Sequence, residues 1–502
     1  MTSPKRPHLI LALVCVAIFA GAIDLTVVSA VLPRVMVDMR VSIDTDLGRA
    51  AWVVSGYLLA YTVSMTFMGR LSDMLGRREV YLICLGIFIG GSVLAAAAGS
   101  LDVLILARVV QAFGAGAMVP ISMALVGDIF PPERRAAALG VIGAVDTAGW
   151  MVGHLYGGIL MRAFDSWRLL FWLNLPVGIV ALALTWWALR EVPQQRASGG
   201  FDWLGAALIS ASVIALNVGL ASGGDLGSSD FYGERAGPPA YALPLVLLAM
   251  ALLSAFVWAE RRSRYPLIDI MLFRERGVAA ACGINTLVGF ALALAITNVP
   301  LFINTRLALG NPGDADILRR AAWESGWMLS ALTLTMAAAA VPGGVISERL
   351  GPRVPALIGL SLALSGSLIM SRWQAESSYL SMGLELALAG VGLGLVIAPV
   401  AEAVISAADA GRRGSAAALV IALRLVGMTT GVATLTLYGV PRQDALRRAG
   451  AVNPLAASDP ARFLMDVAAQ VIGETFLIGA AALGMALVAG VWMGRMKDEN
   501  RS

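Results

Sequence analysis

The chain has 502 residues, of which 58% are apolar and only 14% are charged, and its formal net charge is +4. A soluble fold of this length would need a more highly charged surface, so the composition excludes a cytosolic enzyme and a secreted module. The small net charge gives no reason to expect a nucleic acid partner. The composition therefore indicates a polytopic membrane protein.

The apolar residues form fourteen runs. Most are about 20 residues long, the length with which a helix crosses ~30 Å of hydrocarbon. Such spans must be helical, because hydrocarbon cannot satisfy exposed backbone groups. The first run resembles a signal sequence, but its length and the later spans favour a retained helix. The predicted spans are 9–33, 49–69, 79–98, 101–128, 136–162, 168–190, 203–222, 243–260, 278–304, 325–344, 355–371, 379–406, 415–438 and 468–494.

The chain also repeats itself at long range. The segment 69–78, after the second predicted span, returns in altered form at 344–353, after the tenth. This spacing predicts an all-α protein with two pseudo-symmetric six-helix bundles, at 1–192 and 266–502. A linker at 193–265 supplies two extra transmembrane helices between them. Parallel halves of this kind are a transporter architecture.

The distribution of basic residues predicts the orientation of the chain in the membrane. Tight arginine pairs lie on the same side as the N-terminus, and cytoplasmic loops are the ones enriched in Lys and Arg. An even number of spans then places both termini in the cytoplasm. The pairs are Arg77-Arg78, Arg134-Arg135, Arg261-Arg262 and Arg412-Arg413.

Metal, cofactor and enzyme signals are weak. Cys15, Cys84 and Cys282 lie singly in apolar runs, which argues against a disulfide framework and a metal site. The sequence has only two histidines, no H-E-x-x-H and no Walker sequence. We therefore expect no cofactor, no ATP-driven step and no enzyme activity. A channel is a second alternative, which single-channel recording would distinguish from a transporter.

The sequence at 69–78 resembles the loop signature G-x-L-[SA]-D-x-x-G-R-[RK] of the major facilitator superfamily. In such a loop, glycines let helix ends approach, the acid meets a helix N-terminus or an arginine, and the arginines face the anionic inner leaflet. We expect these residues to form an inner gate rather than to bind cargo. The matched residues are Gly69, Asp73, Gly76, Arg77 and Arg78.

Further stretches, at 24–33, 167–178 and 266–274, resemble the fourteen-span drug:proton antiporter branch of that superfamily. The fifth predicted helix carries most of that branch's antiporter motif, a glycine ladder ending G-P-x-x-G-G. Glycines four residues apart allow another helix to pack closely. A histidine replaces the proline that would distort the helix. The motif residues are Gly149, Gly153, His154, Gly157 and Gly158.

Within that branch, the sequence G-H-L-Y-G at 153–157 looks closest to the mycobacterial triacylglyceride exporters. Those proteins carry G-P-L-Y-G, an acid on the fifth helix, which Asp146 matches, and a late arginine, which Arg424 matches. The resemblance implies the plasma membrane of a prokaryote. It also implies a monomer whose partners are protons, membrane lipids and a hydrophobic cargo.

Two acids and two arginines lie pairwise level inside predicted spans, where a charge costs roughly 2.5–3.5 kcal/mol and is a functional candidate by default. Asp24 and Arg108 agree in depth within roughly 3 Å at a rise of 1.5 Å per residue. Asp146 and Arg424 share a depth nearer mid-membrane. A carboxylate beside an arginine ionises easily and takes up a proton when it loses that partner, so a proton-coupled switch is predicted. The alternative is two static structural pairs.

Other polar residues in the spans are weaker candidates. Glu385 and Glu474 lie near outer helix ends, where a carboxylate reaches water. His154 can titrate near neutral pH, but a lone histidine on a glycine face is more often simply packed. Asn285 and Asn298 either line a cavity or bond between helices.

The sequence thus predicts a secondary transporter that exports hydrophobic or amphipathic compounds in exchange for protons. A multidrug efflux protein and a dedicated triacylglyceride or lipid exporter both remain open, because the cavity-forming spans carry few charges to bind a polar solute.

Overall fold

The computed structural model describes residues 6–41, 43–164, 166–192, 194, 196–197, 199–221, 241–268, 270–310, 317–450 and 458–493. Thirteen helices in these ranges are long and apolar enough to cross a membrane, and a shorter apolar helix lies at Trp203–Gly219. The all-α polytopic architecture predicted from the sequence is confirmed.

The helices of the N-terminal half are α1 Pro7–Asp38, α2 Ile43–Leu75, α3 Arg77–Ala96, α4 Leu101–Ile129, α5 Pro132–Phe164 and α6 Arg168–Ala188. The inserted pair is α7 Trp203–Ala221 and α8 Ala242–Glu260. The C-terminal half contains α9 Arg276–Gly310, α10 Ile317–Leu350, α11 Arg353–Met370, α12 Tyr379–Ala407, α13 Arg413–Thr434, α14 Val440–Gly450 and α15 Pro460–Gly490.

Several helical segments, among them α2 and α10, are longer than their apolar runs predicted. The helix at 415–438 continues from α13 through a π-helical turn, Leu435–Gly439, into α14. The last helix begins at Pro460 rather than near 468. Backbone hydrogen bonds continue past the hydrocarbon boundary, whereas a hydropathy run ends there. The predicted limits were therefore wrong in length but not in position.

The two halves are built alike in their local structure. α4 and α12 begin after serines, Ser100 and Ser378, whose side chains accept backbone N–H groups three residues on at 3.4 Å and 3.1 Å. Such N-caps satisfy amides that lack a helical partner. Each helix also contains an internal proline, Pro120 in α4 and Pro399 in α12.

The repeat at 69–78 and 344–353 has a backbone counterpart. Gly76 and Gly351 occupy the same position in it and have φ values of +111° and +81°. Residues with a side chain rarely adopt such angles, so each turn requires glycine. These two turns connect α2 to α3 and α10 to α11.

The halves meet along two helix pairs, α2 with α13 and α5 with α10. The inserted helices α7 and α8 pack on each other, and α7 lies beside α2 and α13. We call the end of the bundle at Leu75–Arg77 the gate side, and the end at Asp38–Ile43 the far side.

Candidate functional site

Asp73, at the gate-side end of α2, is completely buried and binds the opposite half. Its carboxylate accepts the backbone N–H groups of Gly414 at 2.9 Å and Ser415 at 3.0 Å, and the Ser415 hydroxyl at 3.2 Å. Both residues belong to the first turn of α13, where amides lack helical partners and carry partial positive charge. Asp73 thus caps a helix of the other half.

The cap requires a very close approach of α2 and α13. A side chain at Gly69 would collide with the backbone of Gly414, and a side chain at Gly414 would collide with that of Gly69. The first glycine of the predicted gate motif therefore brings the two halves together.

A chain of alternating charges extends this contact. Arg77 pairs with Asp73 at 3.1 Å and also with Asp128. Arg413 pairs with Asp128 at 3.0 Å and donates to the Gly127 carbonyl at 2.7 Å, again across the halves. Buried charges are stable only when they are paired in this way. The backbone N–H of Arg78 contacts the linker instead and donates to the Gln194 side chain at 3.1 Å.

The C-terminal half makes an equivalent contact with the N-terminal half. Glu348 occupies the position in the repeat 344–353 that Asp73 occupies in 69–78, and it accepts the Ala137 N–H at 2.8 Å. Arg135 donates to the Ser406 hydroxyl at 2.8 Å. These contacts lie together on the gate side, which is therefore closed. The sequence analysis did not single out Asp128 or Glu348, although alignment of the repeat gave a signal for Glu348.

Asp24 and Arg108, predicted to share a depth, form a direct ion pair in which both side chains are buried. Arg108 also donates to the Asp24 carbonyl at 3.1 Å and to the Gln111 side chain at 2.7 Å. The second carboxylate oxygen of Asp24 accepts the amide of Asn174 at 3.0 Å. Asn174 had no predicted role, but its place in the antiporter-like stretch 167–178 was a signal.

A central cavity lies between the halves. Asp146 of α5 and Arg424 of α13 are the charged residues described in its wall, and Tyr61, Trp150 and Asn285 add polar atoms. Most of the wall is apolar, with Met65, Val119, Met123, Ile142, Gly143, Val288, Met336, Val396, Ile397, Ala401, Val420, Ile421 and Leu425.

Asp146 and Arg424 face this cavity from opposite halves, but no ion pair joins them in the described part of the chain. The Oδ1 atom of Asp146 is buried without a hydrogen-bond partner among the described residues. The Arg424 guanidinium lies 5.5 Å from the centre of the Trp150 ring, one turn after Asp146. The contact pair predicted from their shared depth is not present among the described residues, so it stays a prediction.

We expect Asp146→Ala and Arg424→Ala each to impair transport more than the double variant does. A lone buried charge keeps its desolvation cost without compensation. A double-mutant cycle on transport rate and thermal stability should give a coupling energy of about 0.5–3 kcal/mol. Restored activity in the charge swap, Asp146→Arg with Arg424→Asp, would support the pair. Strictly additive effects would mean that the two residues do not interact.

The glycine ladder of α5 lies partly outside the described side chains. Gly149 and Gly153 contact α1 so closely that a side chain would collide with Ala22 or with the Ile23 carbonyl. His154, Gly157 and Gly158 belong to α5, but their side-chain environments lie outside the described residues. The effect of having histidine in place of the motif's proline therefore stays a prediction from the sequence.

The weaker candidates have local partners. Glu385 accepts a tryptophan indole N–H at 2.6 Å, and Glu474 pairs with an arginine at 2.9 Å. Asn298 donates to a threonine hydroxyl at 2.9 Å, and Asn285 donates to a backbone carbonyl of α13 at the cavity wall. Interhelical bonding accounts for both asparagines, and Asn285 also lines the cavity.

Two similar bundles, closed at one end around a central cavity, are a transporter architecture. The chain belongs to the Major Facilitator Superfamily, whose family model matches residues 14–432. It is therefore a transporter and not an enzyme.

Curated relatives extend the similarity over nearly the whole chain. The triacylglyceride transporter of Mycolicibacterium hassiacum is 31% identical over 96% of this chain and 91% of that protein. The triacylglyceride transporter of Mycobacterium tuberculosis H37Rv is 31% identical over 96% of this chain and 93% of that protein.

Solved structures show the same fold at low sequence identity. The human organic anion transporter MFSD10 (TETRAN) superposes with a TM-score of 0.61 at 17% identity, over 96% of this chain and 100% of that chain. The proton:xylose symporter XylE gives a TM-score of 0.60 at 12% identity, over 96% and 95%.

Proposed function

We propose that this protein exports a neutral lipid of the triacylglyceride type from the plasma membrane of a prokaryote, in exchange for protons. The observation that carries the cargo proposal is the apolar central cavity, in which one acid and one base balance each other's charge. Such a wall favours uncharged acyl chains, because polar solutes would lose hydration without gaining partners. The names of the mycobacterial relatives support the same cargo.

Proton coupling in this proposal depends on Asp24. In the gate-closed structure its carboxylate is held by Arg108 and Asn174. When the bundles move and these contacts loosen, the carboxylate takes up a proton. The free energy of proton entry then drives the return of the empty carrier.

The gate contacts supply the other half of the cycle. In this proposal both termini lie in the cytoplasm, so the gate side is the cytoplasmic side and the carrier is closed towards the cytoplasm. Opening it requires Asp73 to leave the N-terminus of α13 and Arg413 to leave Asp128. Because these contacts lie outside the cavity, they control the rate of the change rather than the choice of cargo.

A second candidate function is export of lipophilic cations. One observation favours it: the Asp146 carboxylate has an oxygen without a hydrogen-bond partner beside the cavity, where it can attract a cationic drug. Arg424 in the same wall opposes this attraction.

Reconstitution in proteoliposomes tests the proposal. We expect a fluorescent triacylglyceride to move to an acceptor when a pH difference is imposed, and a lipophilic cation dye to move little. Empty liposomes and a dissipated pH difference are the controls. Gradient-driven movement of the dye alone would favour the drug exporter. Lipid movement that does not depend on the pH difference would contradict proton coupling but support the proposed cargo.

A further inference from the structure

Two tyrosines on α2, Tyr57 and Tyr61, connect the two charged sites of the protein. They lie one helical turn apart, their rings stack with centroids 6.0 Å apart and an interplanar angle of 20°, and both are buried. The sequence analysis did not single out either residue. Each ring lies beside one of the two charged sites.

Tyr57 faces the Asp24–Arg108 pair. The guanidinium carbon of Arg108 lies 3.9 Å from the centre of the Tyr57 ring, a close cation–π contact. The Tyr57 hydroxyl donates to the Gly21 carbonyl of α1 at 3.4 Å, which fixes the ring on the helix that carries Asp24. Asp24 on α1 and Arg108 on α4 are the charged groups that act on Tyr57.

Tyr61 faces the central cavity. It lines the cavity together with Asp146 and Arg424, and the charges of both residues act on it. These charges come from α5 of its own half and α13 of the other half. The stacked rings therefore form a continuous contact from the predicted proton site to the predicted cargo site.

The same helix carries the gate. α2 ends at the cap that Asp73 places on α13, so a rotation or shift of α2 moves the rings and the gate together. Protonation of Asp24 removes the carboxylate charge that shares Arg108 with the Tyr57 ring. A change in the position of Arg108 is then transmitted to the ring packed against it, because buried groups are close-packed and cannot move independently.

We propose that Tyr57 and Tyr61 are positioning residues that couple the protonation state of Asp24 to the shape of the cargo cavity. The inference rests on the proposed proton coupling and names the residues that transmit it. The ring of Tyr57 carries the effect, since the cation–π contact involves the aromatic face and not the hydroxyl.

The test compares Tyr57→Leu with Tyr57→Phe in proteoliposomes. We expect the leucine variant to lose about tenfold in gradient-driven transport and to show a flattened dependence of rate on pH, while cargo exchange without a gradient continues. The phenylalanine variant keeps the ring and should keep the pH profile. Tyr61→Leu should behave like Tyr57→Leu in the pH profile.

Tyr81→Leu is the matched control. Tyr81 is a buried tyrosine of the same half whose hydroxyl donates to an α1 carbonyl at 3.3 Å, but its ring has no arginine in the described contacts. Its substitution should lower thermal stability and leave the pH profile unchanged. An unchanged pH profile in Tyr57→Leu would overturn the proposed role of the two tyrosines while leaving proton coupling in place. A wild-type protein that ignores the gradient would overturn both.

Discussion

Asp24→Asn is expected to abolish proton-driven transport while leaving the protein folded. Asparagine has nearly the same shape as aspartate but cannot ionise or carry a proton. Arg108 keeps Gln111, the backbone carbonyl of residue 24 and the Tyr57 ring as partners, so its buried charge still has interaction partners. The measurement is lipid transport in proteoliposomes with an imposed pH difference, together with thermal unfolding in detergent.

Asp102→Asn provides the control for this prediction. Asp102 pairs with Arg49 at 2.9 Å on the far side, with 74% of its side chain exposed. Exposed pairs contribute little, so this variant should transport like the wild type. If Asp24→Asn still moved cargo against a gradient, Asp24 would not be the main proton carrier.

Asp73→Asn is expected to slow turnover about tenfold with little change in cargo affinity. The variant loses the negative charge at the N-terminus of α13, an interaction of up to about 2 kcal/mol where the geometry is favourable. About 1.4 kcal/mol corresponds to a tenfold change in an equilibrium constant, so the gate-closed form becomes less populated. Rates at saturating cargo and a direct binding assay measure the two effects separately.

Glu79→Gln is the comparison variant for the gate. Glu79 lies near Asp73 in sequence, but its side chain is 41% exposed and its arginine partner is 3.7 Å away on the surface. Its removal should leave both rate and affinity unchanged. A large loss of affinity in Asp73→Asn at an unchanged maximal rate would show that the residue serves cargo binding instead.

Much of the fold was predictable because its signals are local. Each apolar run must become a helix in hydrocarbon, and the turn glycines Gly76 and Gly351 lie inside a visible repeat. The contact between Asp24 and Arg108 was also within reach, because helical rise converts sequence position into depth. The ends of the helices were less predictable, since α14 and the start of α15 extend beyond the apolar runs.

The partners of the gate residues could not be predicted in the same way. A carboxylate in a loop signature can meet an arginine or a helix N-terminus, and Asp73 meets both, one in each half. The shared depth of Asp146 and Arg424 placed them in one layer but not in contact, because depth says nothing about the distance between two bundles.

The amino-acid sequence by itself determined the class of protein, the positions of the spans, the repeat and the charges that lie in the membrane. Composition, the length of apolar runs and glycine turns are properties of the sequence itself, so they can be recognised without knowing which residues are neighbours in space. Only the tertiary structure decided that Asp73 caps α13, that Glu348 makes the equivalent contact with α5, and that two tyrosines join the charge pair to the cavity. Those contacts depend on the rotation of each helix about its axis and on the crossing of helix pairs, which packing across the whole bundle sets.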